Sequence, residues 1–357
     1  MAIDRLKNPF GSTQVTSGLA PENWAYASAQ TGGVTPFTFT GDGTAGTVNG
    51  GTYRVHEWNY AAGSPGFDIT FSQAGIIDLL VCAGGGAGGG QYITPFNTNA
   101  GYAGGGGGGA GLILQYSYGV TASTYSLTVG VGGTPEIASA TNTNIGHGGD
   151  STFGSLTAVG GGCAPRGYTN SSGNVHSGGS GSGGASGSNT NKSGGTGTSG
   201  QGNQGGNASP IDTASITTIS GHTPNGDGYG IIGGGGGGGG YSGPGTDGKP
   251  QYNDLLTLKG GDGGDGIELR FDGTLRGFAA GGAGGVTVTN ASAGSAVGGT
   301  GGTGGGGDGQ IGNSGDGNNA TGFGCGGGGA AGSWATGGNH KGGYGSDGIV
   351  IVRYRIG

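Results

Sequence analysis

The sequence predicts an all-β protein in which short strands alternate with ordered rods of glycine. Three observations predict it. Glycine supplies 105 of the 357 residues, in clusters, while proline totals 11; collagen, with glycine at every third position and abundant proline, is excluded. The chain also carries 14 Tyr, 10 Phe and 3 Trp, an aromatic content that classical disorder does not support. Finally, segments with β alternation run straight into the glycine clusters, so the clusters have fixed ends.

Taken in order, residues 1–33 are polar and turn-rich, without helix or strand periodicity, and read as an extended N-terminal arm. Its apolar and aromatic residues, Leu6, Pro9, Phe10, Trp24 and Tyr26, are the candidates for docking to a partner. Strand signals begin near Phe37 with "TPFTFT" and "TYRVHEW". "GFDITFS" alternates, with Phe67, Ile69 and Phe71 on one face and Asp68, Thr70 and Ser72 on the other. "GIIDLLVCA" is apolar almost throughout, which predicts a strand covered on both faces. Further strands are predicted at "AGLILQYSY", "STYSLTVGV", "STFGSLTAV", "GIELRF" and the C-terminal "GIVIVRYRI". No helix is predicted, since glycine costs about 1 kcal/mol per helical position against alanine. Residues 34–357 therefore read as one glycine-rich β domain. Its strands lie mainly in 37–160 and 345–356, and its glycine rods mainly in 83–111 and 160–345.

Gly233 to Gly240 are eight consecutive glycines. Ordering a backbone costs about 1–2 kcal/mol per residue, and glycine has no side chain whose burial could offset it. A hydrogen bond returns only about 1 kcal/mol net. Such a run orders only if nearly every N–H finds a carbonyl and backbones touch closely. Polyproline-II geometry allows this: three residues per turn, about 3.1 Å rise, and no internal hydrogen bonds. On this reading Gly233–Gly240 is a rod about 25 Å long near the middle of a bundle. The competing reading is a flexible Gly/Ser linker, strongest for residues 177–206, where Ser and Asn dilute the glycine.

The ordered set "IIDLLVCAGGGAGGG" from Ile76, "GGGGGGAGLI" from Gly104, "TYSLTVGVGG" from Thr124, "GGDSTFGSLTAVGGG" from Gly148 and "GSDGIVIVRY" from Gly345 resembles the glycine-rich domain of tail-fibre and adhesin-type proteins of tailed bacteriophages. The resemblance covers about residues 37–357; the arm matches no motif of that kind. It implies a jelly-roll-like β-sandwich with an inserted bundle of polyglycine-II helices, and loops at one end that contact a receptor. A similar plan occurs in the glycine-rich region of the anaplastic lymphoma kinase ectodomain.

Glycine richness also creates false motifs. G-x-G-x-x-G recurs, but no instance opens a helix, so dinucleotide binding is rejected. "NTNKSGG" lacks the glycine before lysine that a phosphate loop needs. "GGDGGDGIE" fits one calcium nonapeptide, with Asp262 and Asp265 as weak ligand candidates. A single unit without successive repeats favours the alternative, carboxylates accepting backbone N–H bonds at turns. His147, Asp150 and Ser151 lie close in sequence, but nothing places them in a cleft, and turn and strand-edge roles are expected. No enzyme activity and no cofactor are expected.

The aromatic and amide residues between the glycine tracts are the candidates for receptor contact: Tyr92, Phe96, Asn97 and Tyr102; Arg166, Tyr168 and His176; Tyr241 and Tyr252; Trp334, His340 and Tyr344. Aromatics give contact area at low entropy cost, and amides give adaptable hydrogen bonds. Capping the rod ends is the equally open alternative.

The net charge of −7 includes no basic block, so neither nucleic acid nor anionic lipid is an expected partner. The N-terminus has no apolar signal region, and no stretch suits membrane insertion. Cys82, Cys163 and Cys325 border glycine runs and are expected to be buried free thiols, consistent with synthesis in a host cytoplasm. The expected function is a phage virion protein on the tail fibre, tail tip or capsid surface. It would be held to other virion proteins by the arm and contact a host glycan or outer-membrane protein through its loops, as a homotrimer. A purely structural capsid-decoration or tail protein is the alternative; an ice-binding polyglycine protein is a weaker one.

Overall fold

The computed structural model describes residues 39–41, 44–48, 53–60, 66–91, 103–135, 146–167, 176–186, 193–209, 233–249, 259–287, 297–312, 315–331 and 340–355. Among these the protein is all-β, with no α-helix. The strands are β1 (Phe39–Gly41), β2 (Thr44–Val48), β3 (Tyr53–Asn59), β4 (Gly66–Phe71), β5 (Gly75–Cys82), β6 (Leu112–Val120) and β7 (Thr124–Thr128). They continue with β8 (Ser151–Phe153), β9 (Leu156–Ala158), β10 (Gly233–Gly234), β11 (Ile267–Leu269), β12 (Arg276–Phe278), β13 (Val286–Thr287) and β14 (Ile349–Arg355).

Two antiparallel five-stranded sheets, ordered β1-β4-β7-β8-β9 and β2-β3-β14-β5-β6, share one core. The first contributes Ile69, Phe71, Leu127 and Phe153; the second contributes Val55, Trp58, Leu79, Leu80 and the apolar run of β14. Phe271 and Phe278, from the hairpin β11–β12, close one side of that core. Each such large side chain contributes about 1.5–3 kcal/mol on burial. β14 runs between β3 and β5 and is buried from Ile349 to Tyr354, so its apolar run Ile349–Val352 reflects cover on both faces.

The alternation read in "GFDITFS" holds: Ile69 and Phe71 are buried while Asp68 is exposed. Other elements differ from the sequence reading. In β5 cover on both faces is limited to Leu79–Cys82; Ile76 is 44% exposed. "STFGSLTAV" is not one strand but the hairpin β8–β9, because Gly154 adopts φ 55° at the turn, a region that disfavours a side chain. "GIELRF" is strand only to Leu269, and pairs with β12, which the sequence did not signal. Nor did it signal β2, β10 or β13.

Glycine segments extend from this β unit and bond laterally to one another. In Gly235–Gly240 the N–H groups of Gly235 and Gly238 donate to the carbonyls of Gly285 and Gly282. Those of Gly236 and Gly239 donate to Gly184 and Gly181, and those of Gly237 and Gly240 to Thr246 and Gly243. The carbonyls follow the same period. Gly235 and Gly238 accept from Gly261 and Gly264, Gly236 and Gly239 from Gly106 and Gly109, and Gly237 and Gly240 from Gly206 and Asn203. The run thus bonds to six surrounding segments and repeats every third residue.

Gly104–Gly111 and Gly281–Gly285 are surrounded in the same way. Gly104, Gly107 and Ala110, for instance, donate to Ala330, Gly327 and Gly324. Close approach requires the absence of side chains: a Cβ on Gly238 would fall on the carbonyl of Gly107, and one on Gly237 on that of Asp262. The segments read as a possible linker, 177–186 and 193–206, belong to this array. Gly183 bonds to Gly106, and Gly205 to Gly195.

At the edges of the described array, side-chain carboxylates and amides accept backbone N–H groups where a backbone carbonyl does so elsewhere. Asp262 Oδ1 accepts the N–H of Thr300 and Asp265 Oδ1 that of Thr303, both at 2.9 Å. Asp308 does the same for Gly301, Asp347 for Gly132 and Asp150 for Gly160.

Candidate functional site

The chain passes back and forth through the array, and the two ends of the array differ. One end adjoins the sheets: Cys82 of β5 continues into Ala83, bonded to Gly111, and Gly348 bonds to Gly130 as the chain enters β14. The other end gathers the residues that flank the longer connections. Gln91 bridges Gly167 and His340, and Ala331 bridges Ala103 and Gly315. Ser186 Oγ accepts the N–H of Ala103 at 2.8 Å. Gly233 and Gly234 pair with Thr287 and Val286 and hold Ser209; Val286 in turn bridges Ile311. Lys249, Lys259 and Val297 form a further bridged set, and a Cβ on Gly234 would meet the Lys259 carbonyl.

These stems bound segments 92–102, 210–232, 250–258, 288–296 and 332–339. The sequence placed Tyr92, Phe96, Asn97, Tyr102, Tyr252 and Trp334 within them; those residues, Tyr168 and the whole arm with Leu6, Pro9, Phe10, Trp24 and Tyr26 lie outside the described residues. The stem face itself exposes Val297 (44%) and Ile311 (40%). It also carries the Lys259–Asp262 pair and His340, whose Nδ1 is 3.6 Å from Asp316 Oδ1.

The remaining candidates separate. Tyr344 is 45% exposed, with its N–H held by Asn319 Oδ1. Tyr241 sits at the sheet end, where its N–H donates to Ala279 and its ring packs on the core; burial raises its phenol pKa. Arg166 is half-buried on the segment leading to Gly167. Asp262 and Asp265 bond to backbone amides of a neighbouring segment, the alternative weighed against calcium. His147, Asp150 and Ser151 do not converge: Ser151 Oγ donates to Cys82 O and accepts from Gly130, while Asp150 accepts from Gly160.

Sequence reasoning missed one cluster. His147, Cys163 and His176 come from three separate segments, yet their ligand atoms lie within 4.8 Å of one another. The two imidazoles meet edge to face, with centroids 4.6 Å apart. Burial lowers the pKa of both, and for His176 the neighbouring His147 lowers it further. Cys163 is buried and in no disulfide, and the same holds for Cys82 and Cys325. No spacing motif announces this trio; only the packing of the array brings it together.

Residues 64–355, more than four-fifths of the chain, match a family described as a glycine-rich domain. A comparison with curated proteins gave no match.

Proposed function

The chain belongs to the glycine-rich domain family, and from that membership we propose that it is a bacteriophage virion protein of the tail-fibre or adhesin type. In this reading the glycine segments are polyglycine-II helices inserted into a jelly-roll-like sandwich. The arm docks to another virion component, and the connections opposite the sheets touch the host surface. The observation that carries it is the gathering of loop stems on one face of a hydrogen-bonded array. Segments bounded by fixed stems can present aromatic and amide residues at little entropic cost. Modest affinity per copy would be raised by several copies on one particle, and the body would associate as a homotrimer.

The experiment uses the purified full-length chain, fluorescently labelled, on cells of the bacterium that supports the phage. Binding at micromolar concentration, lost in a Tyr92→Ala/Phe96→Ala/Trp334→Ala variant with an unchanged circular dichroism spectrum, is the expected result. Absence of binding by the unaltered chain would overturn the adhesin reading in favour of a purely structural virion role. Deleting residues 1–33 should abolish incorporation into virions and leave a folded, soluble body.

A further inference from the structure

His147 and Cys163 are carried by backbone that the array fixes on either side, and His176 is held through its own amide and carbonyl. Gly146 accepts the N–H of Ala87, and Gly148 donates to Gly161, so His147 is held from both neighbours. Cys163 lies between Gly162, bonded to Gly108 and Ser180, and Ala164, whose N–H donates to Ala87 O. The carbonyl of His176 accepts from Ser182 N, and its N–H donates to Ser182 Oγ at 3.2 Å. Two imidazole nitrogens and a thiolate are a donor set for a borderline-soft divalent cation, and hard-oxygen ions are poorly served by it. In a tetrahedral zinc site, metal–ligand lengths of about 2.0–2.3 Å place ligand atoms roughly 3.5 Å apart. From 4.8 Å or less, the ligand atoms need to close in by about 1 Å to reach that spacing.

We propose that His147, Cys163 and His176 bind one zinc ion, with a fourth position left for water or a group from outside the chain. Binding releases the thiol proton to solvent, since the thiolate is the ligand. In sequence Cys163 and His176 enclose the segment that carries Arg166 and Tyr168, so the ion fastens both ends of that connection to the rod of His147. The site does not depend on the adhesin reading, because the three ligands are described and the phage context plays no part in placing them.

The test uses tag-free, chelator-treated full-length protein titrated with zinc by calorimetry and with Co2+ by absorption. One equivalent per chain is expected, with the charge-transfer band of a Co2+–thiolate bond and the d–d bands of a tetrahedral site. Cys163→Ala should abolish the charge-transfer band. His147→Gln and His176→Gln should each weaken zinc more than about 100-fold, beyond the 10–100-fold that follows loss of a supporting contact. Circular dichroism of each variant guards against misfolding, and Cys325→Ala serves as a thiol control that should keep the site. No stoichiometric zinc uptake by the unaltered protein, or uptake equal in the Cys163→Ala variant, would overturn the proposal.

Discussion

Arg353 Nη2 lies 2.7 Å from Asp78 Oδ2, joining neighbouring strands β14 and β5 beside the register shift between Ile77 and Leu79. The guanidinium is stacked between the rings of Tyr53 and Phe271, at 5.0 and 4.7 Å from their centroids, and donates to the Phe271 carbonyl. It is 6% exposed. Removing its partner leaves a charge in a nearly dry site. Asp78→Ala should therefore destabilise the protein by about 3–5 kcal/mol. Arg353→Met, which keeps the volume between the rings, should cost distinctly less. Denaturant unfolding of the two variants checks the order.

The glycine array makes a sharper prediction because it separates glycines by environment. Gly238→Ala places a Cβ on the Gly107 carbonyl, and overpacking of that kind should cost about 3 kcal/mol. Gly119→Ala, in β6 with nothing within 4 Å of the new atom, should be neutral or slightly stabilising, by about 0.5–1 kcal/mol. Comparable losses at both positions would contradict the close approach of the segments.

Much of this was legible in the sequence and some was not, for physical reasons. The alternation of Phe67, Ile69 and Phe71 and the apolar run of β14 signal strands, since a side-chain period is what a sheet face selects. β10 and β13 were illegible: a two-residue pairing of Gly233–Gly234 with Val286–Thr287 leaves no pattern in a run of glycine. That Asp262 and Asp265 accept backbone N–H bonds was legible, but not that the donors, Thr300 and Thr303, lie 38 residues along the chain on another segment. His147, Cys163 and His176 carried no signal, because their proximity is set by which segments lie side by side.

Edge capping has a measurable value of its own. Asp262→Ala strands the Thr300 N–H and releases the Lys259 ammonium, and should cost about 1 kcal/mol. Asp262→Asn keeps an acceptor oxygen and should recover most of that. Thermal unfolding of both variants decides it.

Acid should weaken the β core through His56. Burial, reinforced by the Arg54 charge, brings this imidazole from 6.5 down to about 4, and its Nε2 lies 3.2 Å from the Tyr354 hydroxyl. Between those values the unfolded chain binds a proton that the folded chain does not. The stability is full above pH 6.5 and is lost as pH falls towards 4, by about 2 kcal/mol once solvent screening is allowed for. In His56→Gln that part of the pH dependence should vanish, as measured by unfolding at pH 7, 5.5 and 4.5.

Amide hydrogen exchange at Gly235–Gly240 tests the central claim most directly, namely that lateral backbone bonds turn side-chain-free segments into the rigid part of the molecule. Each of these N–H groups has a carbonyl partner on another segment, so exchange should require global opening and be slowed on the order of 10^4-fold or more. Exchange at the rate of an unstructured glycine peptide would contradict the account.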